Sequence, residues 1–276
     1  MSWWAVDVRA APEDRDEVAA WLVRESGHAV EERPDGLLVG FAFNEGEARS
    51  LGTRLGNLFS ADIRVWFRPV EPIDWTTRWR EGLGPRRVGR LTLVPGWVEH
   101  PEPATALVTI DPESAFGSGE HGSTRAALAL LDRHLDGRTR VLDLGSGSGI
   151  LTIAAVKLGA RHAFGIEIDE EAIPIAVRNA QKNQVSDRVE FLEGDAAALA
   201  PLCAPVDVVL SNILRNPNVE LLPVVRRVLA PGGIAIFSGM EQTEAGLFRP
   251  ELVQAGFTEV DEAVDEGWWA VAAIPR

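Results

Sequence analysis

Hydrophobic and polar positions alternate with a short period in the first quarter of the chain, where two amphipathic helical stretches interrupt the alternation. Strands are predicted in SWWAVDVR, HAVEER, LLVGFAF and DIRVWFRPV, and helices in PEDRDEVAAWLVRESG and NEGEARSLGTRLGNLF. A PDG turn joins the second and third strands into a hairpin. The order β-α-β-β-α-β over residues 1–70 is the ferredoxin-like pattern, which predicts a small α+β domain.

From Ser123 onward, helical stretches alternate with continuous apolar strands. The predicted helices are TRAALALLDRHL, ILTIAAVKLG, EAIPIAVRNAQKN, NVELLPVVRRVL and EAGLFRPELVQAG, and the strands between them are RVLDLG, HAFGIEI, VEFLEGD, VDVVLSNI and GGIAIFSG. The tail FTEVDEAVDEGWWAVAAIPR contains two strands and no helix, so an antiparallel hairpin is expected at the sheet edge. This pattern predicts an α/β domain over residues 101–276, with a parallel sheet covered by helices on both faces.

Residues 71–100 are expected to link the two domains. The segment PIDWTTRWREGLGPRR is predicted as a short amphipathic connector with Trp75 and Trp79 on one helical face. These aromatics would either anchor the linker against a domain or align a substrate. Strands are predicted in RLTLVPGW and TALVTID, which follow the connector.

Composition limits the classes of function. Of 276 residues, 46% are hydrophobic and 25% charged, which is typical of a soluble globular protein. The single cysteine, Cys203, excludes an internal disulfide framework and a cysteine-based metal cluster, and no metal site is expected; a buried filler is favoured over a nucleophile. The formal net charge of −14 disfavours direct nucleic-acid binding and suits basic partners. We expect a cytoplasmic monomer, because neither a signal peptide, a membrane span nor a spare amphipathic seam is visible.

The glycine-rich loop VLDLGSGSG indicates which cofactor binds. It leaves a predicted strand and enters a helix, where glycines allow a tight turn and the helix start offers free N–H groups. Gly145, Gly147 and Gly149 give G-x-G-x-G, and Ile150 stands where a dinucleotide site has its third glycine. Asp143 would repel a pyrophosphate but attract the sulfonium and ammonium groups of S-adenosylmethionine. The loop therefore favours S-adenosylmethionine.

Two further acids follow neighbouring strands. Glu167 ends the next predicted strand, 22 positions beyond Gly145, where a carboxylate can reach the ribose hydroxyls. Asp195 ends the third strand and is expected near the adenine. With Asp143, these acids would line the crevice at the carboxyl ends of adjacent strands. The alternative is that acids occupy strand ends simply because those ends are wet.

This set of features resembles the class I S-adenosylmethionine-dependent methyltransferases, over about Thr124 to Arg276. Within that class, AFGSGEHGSTR resembles the F-G-T-G-x-H-x-T-T signature of the ribosomal protein L11 methyltransferases, the PrmA family. DWTTRWREGLGP resembles the tryptophan-bearing connector of that family, and SNIL its A-N-I-L. The resemblance implies a Rossmann-like seven-stranded catalytic domain after a ferredoxin-like domain that grips the substrate. It also implies methylation of lysine ε-amines and the N-terminal α-amine of ribosomal protein L11.

The opening loop of that signature has its own chemistry. Phe116 is expected to cover the adenosine or methionine part of the cofactor, and Gly117 and Gly119 to let the loop fold over it. Ser118 and Ser123 replace threonines of the family signature and keep the hydroxyls. Two loops would then enclose one ligand.

The resemblance carries cofactor contact onto Thr124, Gly145, Glu167 and Asn212, with Thr124 also expected to cap a helix. Gly147 belongs to the same expected cofactor site. Glu167 replaces the more usual aspartate and adds a methylene.

Asn212 and His121 are the candidate catalytic residues. In related amino-group methyltransferases an N-P-P-Y-type motif occupies the place of SNIL, so Asn212 is expected to orient the acceptor amine; the alternative is a turn residue after a strand. His121 would either cap or pack the loop, or shape the transfer site. A role as general base is not required.

Two other functions stay open. A methyltransferase acting on RNA or a small molecule would share the cofactor, although KLGARH and VVRRVL are isolated pairs of cations along the sequence. A non-catalytic cofactor-binding module would also share the fold. Asn212 and the complete opening loop speak against the non-catalytic module.

Overall fold

The computed structural model describes residues 3–12, 14–28, 30–33, 36–59, 63–70, 84–98, 106–111, 115–136 and 139–276. The chain divides into two compact units, Met1–Gly82 and Leu83–Arg276, each described by itself below. Trp75 and Trp79, which the sequence places in the connector, lie outside the described residues. Among the described helices, none is long and apolar enough to cross a membrane.

The first unit has the ferredoxin-like topology predicted from the sequence. Its elements are β1 (Trp4–Arg9), α1 (Arg15–Ser26), β2 (Glu31–Glu32), β3 (Leu38–Ala42), α2 (Glu45–Leu58) and β4 (Arg64–Pro69). The strands pair in the order β2-β3-β1-β4, and every pair is antiparallel. Val6, Leu22 and Leu55 bury their side chains between the sheet and the two helices.

The second unit contains the alternating elements predicted after Ser123. Its strands are β5 (Arg86–Val88), β6 (Leu91–Pro95), β7 (Ala106–Ile110), β8 (Arg140–Leu144), β9 (His162–Glu167), β10 (Val189–Glu193), β11 (Val206–Asn212), β12 (Leu229–Glu241), β13 (Phe257–Asp265) and β14 (Trp268–Pro275). Its helices are α3 (Gly122–His134), α4 (Ile150–Lys157), α5 (Ala172–Lys182), α6 (Ala196–Cys203), α7 (Arg215–Val228) and α8 (Ala245–Gln254).

The main sheet of this unit has seven strands in the order β10-β9-β8-β11-β12-β14-β13. Its first five strands are parallel, whereas β14 runs antiparallel to both of its neighbours. The predicted C-terminal hairpin at the edge is therefore confirmed. Consecutive residues such as Val141 and Leu142 belong to apolar cores on opposite faces, because successive side chains of a strand point to opposite sides. Helices α3–α5 cover one face and α6–α8 the other.

The order of strands places the site. The chain leaves β8 on one side of the sheet and β11 on the other, so the loops that follow these neighbouring strands separate and leave a crevice. The ends of β8 to β11 and the loops that follow them carry Gly145, Gly147, Glu167, Asp195 and Asn212, whereas Phe116 and His121 lie in the opening loop between β7 and α3.

Four elements differ from the prediction. Strand β5, which was not predicted, pairs with β6, the strand predicted in RLTLVPGW, and β6 in turn pairs with β7. Helix α6 was not predicted, because its eight residues contain Pro201 and give little helical periodicity. Helix α3 starts at Gly122 with His121 as its N-cap, so Thr124 lies inside the helix instead of capping it. Helix α7 starts at Arg215, three residues before the predicted start at Asn218.

Candidate functional site

The opening loop lies directly on the glycine-rich loop. Ser148 donates its backbone N–H to the Phe116 carbonyl at 2.9 Å and its hydroxyl to the Gly117 carbonyl at 2.6 Å. A Cβ atom on Gly147 would lie 2.5 Å from the Phe116 carbonyl oxygen, and one on Gly117 would lie 2.8 Å from Ser148 Oγ. Glycine at these positions therefore permits the close approach of the two loops, and both have positive φ, 51° and 100°.

A cavity of about 650 Å³ opens beside these loops at the carboxyl ends of the parallel strands. The predicted site residues that line it are Phe116, His121, Gly145, Gly147, Glu167, Asp195 and Asn212. Gly117, Gly119, Thr124 and Asp143 are not among the lining residues. The described lining includes the acids Glu167, Asp195 and Glu220 but neither Lys nor Arg. Its charge therefore suits a cationic ligand better than a pyrophosphate.

Glu167 connects the end of β9 to the glycine-rich loop. Its Oε2 accepts the backbone N–H of Gly147 at 2.8 Å, and its Oε1 accepts those of Ile168 and Asp169 at 2.8 and 3.0 Å. The side chain is half-buried on the cavity wall. The carboxylate thus holds two neighbouring loops together at the position expected for a ribose contact.

Asp143 does not face the cavity, in contrast to the expectation from sequence. It is fully buried, and its Oδ2 accepts the Thr152 backbone N–H at 3.1 Å and the Thr152 hydroxyl at 2.7 Å. Burial raises the pKa of this carboxyl to about 7. The residue therefore anchors the first turns of α4, and any influence on a ligand passes through the glycine-rich loop.

Asp195 has a structural contact as well as a place on the cavity wall. It is the N-cap of α6, and its Oδ1 accepts the Ala198 backbone N–H at 3.0 Å. Such a cap stabilises the start of a helix by about 1 kcal/mol. The unpredicted helix thus explains why an acid follows β10.

Asn212 ends β11 at the floor of the cavity, with 8% of its surface exposed. Its Nδ2 donates to the hydroxyl of Thr124 at 3.3 Å, which ties the end of β11 to the first turn of α3. Its Oδ1 is buried and has no hydrogen-bond partner among the described residues. A buried amide oxygen without a partner is costly, so it marks a position where an N–H donor from a ligand would be stabilised.

His121 belongs to an aromatic group on the cavity wall. Its ring lies 5.2 Å from that of Phe116 and 4.2 Å from that of Trp268, measured between centroids. Its Nδ1 lies 2.7 Å from the Ser123 hydroxyl. Burial, and then the nearby Arg125, lower the pKa of His121, so the neutral imidazole is favoured at neutral pH. His121 is the N-cap of α3 and lines the cavity, and its role in shaping the transfer site stays a prediction.

Arg125 fastens this region to the turn between β13 and β14. Its guanidinium pairs with the Asp265 carboxylate at 2.5 and 3.1 Å, with Glu266 at 2.8 Å, and also donates to the Glu120 carbonyl. The hydrogen bond to Asp265 raises the pKa of Arg125 further above its ordinary value. The opening loop and the C-terminal hairpin are thereby held together through one nearly buried cation.

Sequence patterns alone did not single out several residues at or beside this site, among them Trp268, Ile168 and Gly122. Trp268 lines the cavity, while its neighbour Trp269 is fully buried in the core. The WW pair in a strand was a usable signal, because adjacent strand residues face opposite sides. Ile168, 74% exposed, lines the cavity beside Glu167. A Cβ on Gly122 would lie 2.9 Å from Trp268 Cδ1, so this glycine lets α3 approach the hairpin.

Comparison with known proteins identifies the family. The family model described as ribosomal protein L11 methyltransferase (PrmA) matches residues 39–274. The chain is 38% identical to the ribosomal protein L11 methyltransferase of Thermus thermophilus over 84% of this chain and 92% of that protein. It is 42% identical to the one of Chromohalobacter salexigens over 71% of this chain and 64% of that protein. The crystal structure of the ribosomal protein L11 methylase of Lactobacillus delbrueckii subsp. bulgaricus superposes with a TM-score of 0.64 at 27% identity, over 70% of this chain and 100% of that one. The chain therefore belongs to the PrmA family of methyltransferases.

Proposed function

We propose that the chain transfers methyl groups from S-adenosylmethionine to amine nitrogens of ribosomal protein L11, namely lysine ε-amines and the N-terminal α-amine. The observation that carries this proposal is at Asn212, a residue that lines the cavity: its Oδ1 is buried and has no hydrogen-bond partner among the described residues. An amine that enters the cavity can donate an N–H to this oxygen, whereas a carboxylate or phosphate offers it no donor.

The cavity suits S-adenosylmethionine on the chemistry of its walls. Gly145 and Gly147 line the cavity without side chains, so their backbone groups can approach the methionine part of the cofactor closely. A Cβ atom would collide with Ile213 at position 145 and with Phe116 at position 147. Glu167 would hold the ribose hydroxyls, and the exposed Ile168 and Phe116 would cover the adenosine. Bound there, the cofactor supplies an electrophilic methyl group on a positively charged sulfur. The acidic lining favours that positive charge.

The protein contributes positioning and desolvation. Only the neutral amine has a lone pair for the transfer, and partial burial against Ile213 and Leu214 would lower the pKa of an incoming lysine. Asn212 Oδ1 would accept one of its N–H groups and direct the lone pair toward the methyl group. Favourable orientation of this kind can supply roughly 7–11 kcal/mol of rate acceleration.

The aromatic group Phe116, His121 and Trp268 would form the wall beside the acceptor. Neutral imidazole and two aromatic faces can surround an amine without repelling it, and they can also contact a cation formed on methylation. His121 therefore shapes the transfer site in this proposal and is not needed as a general base.

The rest of the chain fits a protein substrate. The net charge of −14 attracts a basic ribosomal protein and disfavours direct binding to nucleic acid. The proposal assigns substrate recognition to the ferredoxin-like domain over residues 1–70 and transfer to residues 101–276. The proposal also holds that the chain acts as a monomer in the cytoplasm, where ribosomal proteins are made.

A labelling experiment distinguishes this proposal from its alternatives. The purified chain is incubated with methyl-labelled S-adenosylmethionine, a mixture of ribosomal proteins, ribosomal RNA and the small molecules of a filtered cell extract. Label in L11 alone supports the proposal. Label in RNA, or in small molecules, contradicts it in favour of another acceptor, and cofactor binding without any labelled product indicates a non-catalytic module.

The variant Asn212→Ala tests whether Asn212 positions the acceptor amine. Loss of an acceptor for the amine should lower kcat by about 100-fold or more, the scale for deleting one oriented polar group at a reacting centre. The dissociation constant for S-adenosylhomocysteine, measured by calorimetry, should change much less. An equal loss in both quantities would contradict amine positioning by Asn212.

A further inference from the structure

A fully buried amide, Asn218, lies in the first turn of α7 directly behind the loop that follows Asn212. We propose that Asn218 is a positioning residue for the acceptor amine, because it fixes the backbone next to Asn212, a residue that lines the cavity and whose Oδ1 would accept the amine. This inference rests on the proposed function and deepens it. It concerns how the acceptor site is built, not which groups touch the amine.

Asn218 uses both ends of its amide to hold two strands. Its Nδ2 donates to the carbonyl of Ile213 at 2.9 Å and to the carbonyl of Ser238 at 3.0 Å. Its Oδ1 accepts from the hydroxyl of Ser211 at 2.6 Å. Two carbonyls on one side and a hydroxyl on the other fix the orientation of the amide.

The position of Asn218 follows from the start of α7. Leu214, in an extended conformation, is the N-cap, and Asn218 donates its backbone N–H to the Leu214 carbonyl at 3.1 Å. Pro217 is tolerated in the first turn because no intrahelical donor is needed there. The helix therefore begins early enough to place Asn218 beside the ends of β11 and β12, instead of leaving it in a loop.

The peptide between Asn212 and Ile213 is consequently held from several directions. Asn212 pairs in register with Ser238 on β12, and its Nδ2 reaches Thr124 on the other side. The backbone of Gly239, at φ 84°, lies so close to Ile213 that a side chain there would collide with it. From the side of α7, Asn218 donates to the Ile213 carbonyl and so holds this peptide as well. With the backbone and Nδ2 fixed, Asn212 Oδ1 has a defined direction.

The network also limits which oxygens can receive the amine. The carbonyl of Ile213, the residue that follows Asn212, already accepts one hydrogen bond from Asn218. Asn212 Oδ1 remains without a partner among the described residues. An incoming N–H is therefore favoured at Asn212 Oδ1, where no other donor competes, and this favours one approach of the lone pair.

An apolar residue at position 218 could fill the same space, but it could not make the hydrogen bonds of the Asn218 side chain to Ser211, Ile213 and Ser238. Leu221 and Leu222 of the same helix already supply apolar contacts to the core. Burying an amide is unfavourable unless it is fully hydrogen-bonded, so an amide here is explained by the two carbonyls that it holds.

The test compares Asn218→Leu with Ser211→Ala, both made in the full chain. Asn218→Leu removes both bonds to the carbonyls, and we expect kcat for methyl transfer to L11 to fall about 10- to 100-fold. The dissociation constant for S-adenosylhomocysteine should stay within about twofold, because Asn218 does not line the cavity that holds the cofactor. Ser211→Ala breaks a bond in the same network but leaves both carbonyls held, so kcat should stay within about threefold.

A purely structural role predicts a different pattern. Both variants would then lower the melting temperature while kcat, corrected for folded protein, stayed near that of the wild type; this outcome overturns the inference. Equal losses of kcat in both variants also overturn it. If Asn218→Leu does not fold, Asn218→Gln serves instead: it keeps the amide but displaces it by a methylene, and unchanged kcat in this variant contradicts positioning. Failure of the wild type to methylate L11 would instead refute the proposed function.

Discussion

The carboxylate of Glu167 and the backbone N–H of Gly147 are joined by a hydrogen bond of 2.8 Å, across the gap between the ends of β8 and β9. The same carboxylate accepts two more backbone N–H groups on its own side, from Ile168 and Asp169. Together with the backbone bonds from Gly145 and Ser146 to the Ile166 carbonyl, this acid holds the two loops that would bind the methyl donor.

Replacing Glu167 by Ala should chiefly weaken cofactor binding. The change removes the expected ribose contact and releases Gly147, and hydrogen bonds to a charged group contribute about 1.5–3 kcal/mol. We expect the dissociation constant for S-adenosylmethionine to rise about 10- to 100-fold, as measured by calorimetry. Glu190→Ala, an exposed acid on β10, is the control and should bind normally. Unchanged affinity in Glu167→Ala would remove this residue from the ribose site.

Gly147→Ala should separate the two loops. Its Cβ would lie 2.5 Å from the Phe116 carbonyl oxygen, so the opening loop must move away from the glycine-rich loop. We expect cofactor affinity to fall at least tenfold, from the same calorimetric measurement. Gly232→Ala is the matched control, because Gly232 also has a positive φ, 75°, but a Cβ there meets no atom within 4 Å. Equal effects of the two substitutions would attribute the loss to backbone strain alone.

Much of this architecture could be predicted from the sequence because local patterns determine it. Continuous apolar strands alternating with helices predicted the parallel sheet, and the tail without a helix predicted the antiparallel hairpin. The spacing of Gly145 and Gly147 and the acid Glu167 also predicted residues that share one cavity. These features depend on residues within one or two elements.

The remainder depends on contacts between distant elements. Asp143 precedes the glycine-rich loop in sequence, but its side chain is buried against Thr152, and periodicity does not show which way a strand-end side chain points. Trp268 is 147 positions from His121 (268 − 121), although their rings are in contact. In the sequence, Asn218 is only the first residue of the predicted helix NVELLPVVRRVL. In the structure α7 starts earlier, at Arg215, and Asn218 lies against β11 and β12. Tertiary packing decides which residues meet at such positions, even where a local pattern such as the WW pair shows that one side chain faces outward.

Arg125→Met should destabilise the fold around the opening loop. The guanidinium is nearly buried between Asp265, Glu266 and the Glu120 carbonyl, and an apolar replacement leaves these acceptors without their partner. We expect the free energy of unfolding to fall by about 1–3 kcal/mol in urea titrations. Arg86→Met removes a bidentate but exposed pair with Glu120, and its effect should be much smaller because water screens that pair. Equal losses would show that Arg125 acts as an ordinary surface ion pair.

Asp143 should make the stability of the protein depend on pH. Burial raises the pKa of its carboxyl from 3.8 to about 7 in the folded chain, so between these values the folded state binds a proton that the unfolded state has released. Stability therefore falls as pH rises through this interval, and the penalty is complete above about pH 7. Asp143→Asn keeps the shape and an acceptor for Thr152 but cannot ionise.

Urea titrations at pH 5 and pH 8 measure this effect as a difference between Asp143→Asn and the wild type. Between pH 5 and pH 8, the free energy of unfolding of Asp143→Asn should rise by roughly 3 kcal/mol relative to that of the wild type. The interval from pH 5 to 7 spans two units, and each unit corresponds to about 1.4 kcal/mol. Asp187→Asn, on the surface, makes the same chemical change as a control and should show the same small difference at both pH values. A constant difference for Asp143→Asn would mean that this carboxyl stays ionised in the folded protein at both pH values, and it would contradict a raised pKa.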